Sequence, residues 1–380
     1  LITSLVLEGE SCTKTIMTHG YTVDEKGRKM SKSLGNVVAP QDIIDKVGTD
    51  GLRLWVASIG YDSDPVVSQN LLTNISEVFR KVRNTQRFLL SNLYDFDINK
   101  DALGVEELSA IDRYAMVKLY DFQNKVLASY NSCAFTSVFH DLADYCSSEL
   151  SSFYLDVIKD RLYVEDANGK LRRSAQTSMW HILDVLTKLT APIMSFNAEI
   201  VSDFYQKDKA ESIHLQSFSN LEFVKMVVEY EIGESVPVQA PFLETDNIME
   251  AKMEILKSDS IVRWQDSWEV LRGVRSIILK SIEELRAKAI VGHSLDVSVD
   301  LYIDLNLEDY KILQEFFKKL GDPEQIEQFF KELLVVSQLK YNKDSDNLPH
   351  LADGVYAKVR HAVGEKCPRC WQWDANSGVD

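Results

Sequence analysis

The chain has 380 residues, 45% of them hydrophobic, enough for two or three domains with real cores. No apolar run reaches the length of a membrane span, and the first residues, LITSLVLEGES, lack the basic start and sustained apolar segment of a signal peptide. The net charge of −16 excludes a uniformly basic nucleic-acid binder but allows a local basic stripe, because phosphate binding depends on where Lys and Arg gather.

Such clusters occur at Lys26 to Lys32, at Arg80, Lys81, Arg83 and Arg87, at Lys170, Arg172 and Arg173, and at Arg272 and Arg275. Taken singly, each is more often a solvated helix face than a binding site. Three cysteines (Cys12, Cys133, Cys146) are scattered and two (Cys367, Cys370) stand at CxxC spacing, a usage that fits a reducing cytoplasm better than a disulfide framework. The chain begins with Leu1 instead of methionine, so a piece of a larger protein is expected.

Residues 1–64 read as the end of an α/β domain. Ile16 to Val23, which contains His19-Gly20, is expected to form a strand and turn feeding the run GRKMSKSLGNVVAP from Gly27 to Pro40. Here the ammonium groups of Lys29 and Lys32 stand three residues apart, interleaved with the hydroxyls of Ser31 and Ser33 and followed by Gly35 and Asn36. A loop of this kind suits a polyphosphate: a lysine closing over a departing pyrophosphate stabilises the negative charge that builds there. Lys32 is the first candidate for that role and Lys29 the second. Pro40 to Val47, with Gln41 and Asp42 ahead of Ile43, Ile44 and Val47, predicts a short helix with an acidic start. Asp50 to Ser58 predicts a second, with Leu52, Trp55 and Val56 on one face.

Residues 65–235 read as a helical domain whose apolar positions keep a helical period from about Ser68 to Phe204. Leu72, Ile75, Phe79, Val82, Leu89 and Leu93 fall on one face of a first long helix and leave Arg80, Arg83 and Arg87 on another. A second helix buries Ala115, Leu119, Phe122 and Val126. A third runs through Phe135, Val138, Leu142, Cys146, Leu150, Phe153 and Val157, with Cys146 as a small core residue. The fourth starts near Arg172 and should break at Ala191-Pro192, after which Phe196, Ile200 and Phe204 continue an apolar face. Four antiparallel helices with short loops predict a bundle. Asp156, Lys159, Asp160 and Arg161 read as ion pairs along one helix, at a surface with some nucleic-acid contact.

Residues 236–360 follow a loop-rich crossover between Lys207 and Asp246 that carries Pro237 and Pro241. A long helix takes Ile261, Trp264, Trp268, Leu271, Ile278, Ile282 and Leu285, with Gly292 placed to end it. At four-residue spacing among aliphatics the two tryptophans belong to a core and not to a base-stacking platform. Asp296 to Asp304 alternates, with Val297, Val299, Leu301 and Ile303 on one sheet face, another helix surrounds Ile326 to Leu333, and Tyr356 to His361 alternates again. In residues 361–380 the CPxC turn of Cys367 and Cys370 presents two thiolates, half of the four ligands of a structural zinc site; His361 is a conceivable substitute ligand. A thioredoxin-like redox role would need a βαβ context that is missing.

The pentapeptide Lys29-Met30-Ser31-Lys32-Ser33 matches in full the signature loop of class I aminoacyl-tRNA synthetases, and Gly27, Arg28, Leu34, Gly35, Asn36 and Pro40 fit as well. The chain resembles that family. Within it, GRKMSKSLGNVVAPQDIIDK followed by LRLWVAS (Leu52 to Ser58), and the tail GEKCPRCW, resemble the bacterial isoleucine enzymes. The stretches FYLDVIKDRLY (Phe153 to Tyr163), LTKLTAPIMSF (Leu186 to Phe196) and VGHSLD (Val291 to Asp296) are also of that family's kind.

The resemblance implies a mainly α protein. Its parts are the end of a Rossmann-like α/β catalytic domain, an α-helical anticodon-binding bundle, a small α+β module that contacts tRNA, and a truncated zinc knuckle. It implies an isoleucine–tRNA ligase that joins isoleucine and ATP, as its Mg2+ complex, into isoleucyl-adenylate, passes the acyl group to isoleucine tRNA and edits mischarged valine. Lys29, Ser31, Lys32 and Ser33 would meet ATP, with Lys29 and Lys32 catalytic. Cys367 and Cys370 would hold one structural Zn2+ in the complete protein, and only weakly in this chain. A cytoplasmic monomer is expected.

The family's other ATP motif, HIGH, does not occur in these residues and is expected upstream, with the editing domain. The chain alone should therefore be inactive in adenylation. Two alternatives stay open: a catalytically inactive tRNA-binding module, and a valine, leucine or methionine synthetase, which the tail and Leu52 to Ser58 disfavour.

Overall fold

In the computed structural model, residues 1–13, 16–61, 64–67, 69–206, 209, 211–219, 221–236 and 259–374 are described. In chain order the helices are α1 (Ile2–Glu8), α2 (Pro40–Ala57), α3 (Gln69–Ser91), α4 (Ile98–Asp101), α5 (Ala110–Asn131), α6 (Phe135–Asp144), α7 (Leu155–Val164), α8 (Lys170–Thr190), α9 (Ser195–Tyr205), α10 (Glu222–Ile232), α11 (Asp259–Ala287), α12 (Ile312–Leu320) and α13 (Pro323–Leu334). A π-helical run, Tyr145–Tyr154, joins α6 to α7. The strands are β1 (Val297–Ile303), β2 (Gln338–Tyr341), β3 (His350–Ala352), β4 (Val355–His361), β5 (Glu365–Lys366) and β6 (Trp373–Asp374). The expected crossover prolines, Pro237 and Pro241, lie outside the described residues.

Two compact units emerge, each assembled from three stretches of chain. The first comprises Leu1–Arg87, Gln123–Cys146 and Leu186–Phe218. In it, Ile16 to Val23 forms no strand. The hairpin-like start of the loop rests on isolated bridges from Val23 to Lys29 and to Val66, because Asp24 turns the chain back within five residues. The two short helices expected over residues 40–58 are the halves of α2, broken at Gly48, whose backbone (φ 78°, ψ 168°) is one that side-chain-bearing residues rarely adopt. α2 packs on α6 and α9.

The apolar face expected of α9 is a correction. Phe196, Ile200 and Phe204 are exposed, and the buried face is Asn197, Ala198, Val201 and Ser202. Polar anchors turn it that way. The backbone N–H groups of Phe196 and Asn197 donate to the Asp50 carboxylate at 3.2 and 2.7 Å, and Asn197 Nδ2 donates to Gln86 Oε1 at 2.6 Å. After the break at Pro192, Arg53 satisfies the freed carbonyls of Pro192 and Ile193 at 2.8 Å each.

The second unit comprises Phe88–Phe122, Ser147–Val185 and Ser219–Asp380. Its sheet has strand order β2-β1-β4-β3, with β1 parallel to β2 and antiparallel to β4. Val297, Val299, Leu301 and Ile303 are all buried, as their alternation predicts. α11 ends at Ala287, short of Gly292, and α11, α12 and α13 pack against the strands. Trp264 and Trp268 are core residues: Trp268 lies 4.4 Å from the Tyr114 ring and 5.5 Å from Phe316, and Trp264 Nε1 donates to Glu231 at 3.0 Å.

The single regular helix expected over residues 135–157 is also corrected. Leu142, Cys146, Leu150, Tyr154 and Ile158 are buried at strict four-residue intervals. Phe153 and Val157 of the expected series are buried too, so the π-helical run changes the winding within a helix whose core face is the expected one. Burial pushes the Cys146 thiol up to about 12, in keeping with an inert core cysteine.

Deep in the second unit, the Asp112 carboxylate gathers four donors: Tyr154 Oη at 2.8 Å, Arg161 Nη1 at 2.8 Å, Ser109 Oγ at 2.7 Å and Ser174 Oγ at 2.5 Å. Arg161, only 5% exposed, bonds Glu332 with its other terminal nitrogen at 3.0 Å. Arg161 is thus a buried tie between elements and not part of a tRNA-facing ion-pair row. Of the expected pairs along α7, Lys159 to Asp156 (2.8 Å) forms. In two basic clusters the arginines are likewise paired within the unit: Arg172 reaches Asp95 at 2.9 Å, Arg272 reaches Glu149 at 2.9 Å and Arg275 reaches Asp156 at 3.1 Å.

Candidate nucleotide loop and nucleic-acid interface

The lysine loop is built around one carboxylate. Asp24 accepts the backbone N–H groups of Lys26 and Arg28 at 3.0 and 2.9 Å, Arg28 Nε at 2.9 Å and Asn36 Nδ2 at 3.0 Å. These bonds, from Asn36 first and then from Arg28, hold its carboxyl well below the ordinary range, so Asp24 is charged at any physiological pH. Asn36 spans the loop: its Oδ1 accepts Ser31 N–H at 3.0 Å while its Nδ2 also approaches the Lys29 carbonyl at 3.4 Å. The loop base is pinned, and the signature residues sit on its outer turn.

That outer turn is a 3-10 helix, Lys32–Leu34, capped by Ser31, whose Oγ accepts Leu34 N–H at 3.3 Å. Gly35 closes it at φ 66°. Ser31 and Ser33 come together, their hydroxyls 3.1 Å apart. The lysines diverge in state: Lys29 Nζ lies 3.6 Å from the centre of the Tyr21 ring, whereas Lys32 is exposed and has no described carboxylate partner. Lys32 is therefore the ammonium free to meet an anion. The Asp24 anchor and Tyr21 escaped the sequence reading; the only hint was an acid and an aromatic just ahead of a basic turn.

At the other end, Cys367 and Cys370 form a knuckle closed by Cys367 N–H to Gln372 O at 2.8 Å and Trp371 N–H to Cys367 O at 2.9 Å, and flanked by β5 and β6. Backbone N–H groups of Cys370 and Arg369 aim at the Cys367 sulfur and lower its thiol pKa, while burial raises that of Cys370. Asp296 moors the knuckle to β1, accepting Lys366 Nζ at 2.6 Å and Trp373 Nε1 at 3.0 Å. Burial would raise the Asp296 pKa, but these donors outweigh it and hold it well below the ordinary range.

The pair supplies two of the four donors a closed zinc site needs. Among the described residues no three His, Cys, Asp or Glu side chains are placed to share a metal, and His361 turns its Nδ1 to the Ala362 carbonyl at 2.8 Å. The described donors do not by themselves fit a complete site.

Two of the four basic clusters are wholly exposed, the loop cations Lys26, Arg28, Lys29 and Lys32 and the α3 cations Arg80, Lys81, Arg83 and Arg87; Arg28 is paired with Asp24, whereas the α3 cations have no carboxylate within ion-pair distance among the described residues. No described helix is long and apolar enough to cross a membrane.

Residues 112–301 match the family model for the anticodon-binding domain of tRNA ligase, and residues 1–68 match that for class I tRNA synthetases (I, L, M and V). The chain is 36% identical to the isoleucine–tRNA ligases of Syntrophotalea carbinolica and Carboxydothermus hydrogenoformans and 37% identical to that of Fervidobacterium nodosum. These alignments cover 96%, 100% and 98% of this chain but 35%, 36% and 36% of those proteins, so the chain spans about a third of the length of the curated relatives it matches. A solved LeuRS–tRNA–LeuAMS complex from Agrobacterium radiobacter overlaps with a TM-score of 0.42 at 16% identity, over 66% of this chain and 30% of that one, a likeness too loose to bear on any residue. By both family models and by identity along its whole length, the chain belongs to the class I isoleucyl-tRNA synthetases, of which it carries the lysine-loop stretch and the anticodon-binding domain.

Proposed function

We propose that these residues serve a cytoplasmic, monomeric isoleucine–tRNA ligase, which activates isoleucine with ATP, supplied as its Mg2+ complex, to isoleucyl-adenylate and transfers it to isoleucine tRNA. Editing of mischarged valine belongs to the same enzyme outside these residues. The observation that carries the reading is a signature loop whose base is fixed by Asp24 and Asn36 while Lys32 is left exposed. In this reading Lys32, with Ser31 and Ser33 beside it, meets the phosphates. It stabilises the charge that grows on pyrophosphate as the isoleucine carboxylate attacks the α-phosphorus, and Lys29 leaves Tyr21 to assist.

The segments take the roles implied by the resemblance: 1–64 closes the catalytic domain, 65–235 grips the anticodon stem, 236–360 adds tRNA contacts and 361–380 carries the zinc knuckle with Cys367 and Cys370 as ligands.

The test is binding of the 380-residue chain to isoleucine tRNA and to the same tRNA with a changed anticodon. Binding lost with the anticodon change supports the assignment. Equal, weak binding of both removes anticodon recognition from these residues.

A further inference from the structure

In three of the four basic clusters the arginines are engaged by carboxylates. Arg28 pairs with Asp24 at 2.8 Å, Arg172 with Asp95, Arg272 with Glu149 and Arg275 with Asp156. On α3, by contrast, Arg80, Lys81, Arg83 and Arg87 are exposed, and none has a carboxylate within ion-pair distance among the described residues. In a chain of net charge −16 this is an uncompensated positive face.

Its presentation is fixed by the opposite side of the helix. Ile75, Val82 and Leu89 are buried, as are Thr85 and Gln86, and Gln86 is bonded to Asn197 at 2.6 Å, so α3 cannot rotate its arginines inward without breaking that core. At 3.6 residues per turn, Arg80, Arg83 and Arg87 stay within about 60° of one another and cover roughly 10 Å of helix length. Apart from Lys81, the rest of the exposed surface between Thr73 and Arg87 is neutral except for Glu77. The Arg83 guanidinium lies 5.5 Å from the centre of the Phe79 ring, within cation–π range.

We propose that the Arg80–Arg83–Arg87 face of α3 is a backbone-phosphate contact for tRNA, positioning the nucleic acid without reading its sequence. The proposal rests on the tRNA-binding reading above. Guanidinium forks match phosphate geometry, and a row along one helix gives each fork its own phosphate instead of crowding one anion. Lys81 stands about 100° away and would lie beside the contact.

The experiment measures binding of the full 380-residue chain to isoleucine tRNA and to its anticodon-changed form across about 50 to 200 mM salt. It compares wild type, R80A/R83A/R87A and R80K/R83K/R87K, with melting curves confirming that each variant is folded. The alanine triple should weaken both tRNAs by the same factor and flatten the slope of log K against log salt by about 2 to 3, at roughly 0.7 to 0.9 per charge. The lysine triple should keep the wild-type slope.

An unchanged slope in a folded alanine triple, with wild type binding normally, overturns the α3 contact and leaves the tRNA reading standing. Loss confined to the correct anticodon overturns the sequence-independent role. Alanine substitution that spares tRNA but abolishes binding to phosphatidylserine vesicles assigns the face to a membrane partner and overturns the proposal. No tRNA binding by the wild-type chain removes the tRNA reading itself, and this contact with it.

Discussion

Asp24 and Asp112 each gather four donors, yet they do different things. The partners of Asp24 lie two to twelve residues away, around a loop open to water. Those of Asp112 lie three to 62 residues away, around a carboxylate that is itself fully buried. A carboxylate in water can order its neighbours at little net gain in stability, because the unfolded chain solvates it as well. The same carboxylate in a core is held there by its partners, and removing one leaves a charge with neither water nor counterion. The contrast separates residues that shape a site from residues that keep the protein folded.

The strongest way to break the comparison is Arg161→Ala, which should lower unfolding free energy by about 3–5 kcal/mol, read by urea denaturation. Replacing Arg161 and Asp112 together with apolar residues should recover much of that loss. A single-variant effect below about 1 kcal/mol would mean that water reaches Asp112.

Lys32→Ala tests the open site. In a synthetase of the relatives' full length carrying these residues, it should slow adenylate formation by roughly 100- to 1000-fold while isoleucine affinity and urea midpoint stay put. Asp24→Ala should slow the same step less, acting through the loop base, again with little change in midpoint. A large drop in midpoint would place Asp24 with Asp112.

Asp296 falls between the two, and Asp296→Ala should cost on the order of 2 kcal/mol by freeing Lys366 and Trp373. It should also speed alkylation of Cys367 and Cys370, which a merely local loss would not.

The last test concerns pH. His181 stacks on Phe223 at 4.6 Å; burial, partly offset by Asp184, lowers its pKa from 6.5 to about 4. It is neutral in the fold and protonates more easily unfolded, so its contribution is complete above about pH 6.5 and lost as pH falls toward 4. The loss should come to about 3 kcal/mol at most, and His181→Phe should flatten stability against pH across that window.

The sequence was most legible where the determinant is local. Lys29 to Ser33 is a contiguous signature, Val297 to Ile303 shows its two-residue period, and Trp264 with Trp268 shows a core stripe. It was least legible where polar partners meet across the chain. Charge spacing places Arg172, Arg173, Arg272 and Arg275 on helix faces but does not say which carboxylate packs against them, and nothing near Arg161 points to Asp112, 49 residues earlier. On α9 an apolar series of perfect period faces water because Asp50 and Gln86 claim the other side. The loop shows both cases at once: its chemistry could be read, while the Asp24 to Asn36 girdle, twelve residues long and without period, could not.

The cap on α9 also carries a lesson about the order of folding. A helix of 11 residues is marginal alone, and the carboxylate that satisfies its first N–H groups sits 147 residues upstream at Asp50. During synthesis the α2 segment must therefore wait, with that carboxylate unengaged, until Asn197 has left the ribosome. Both units share this constraint: the second ties Arg161 to Glu332 across 171 residues, so neither can close while the chain is only half made.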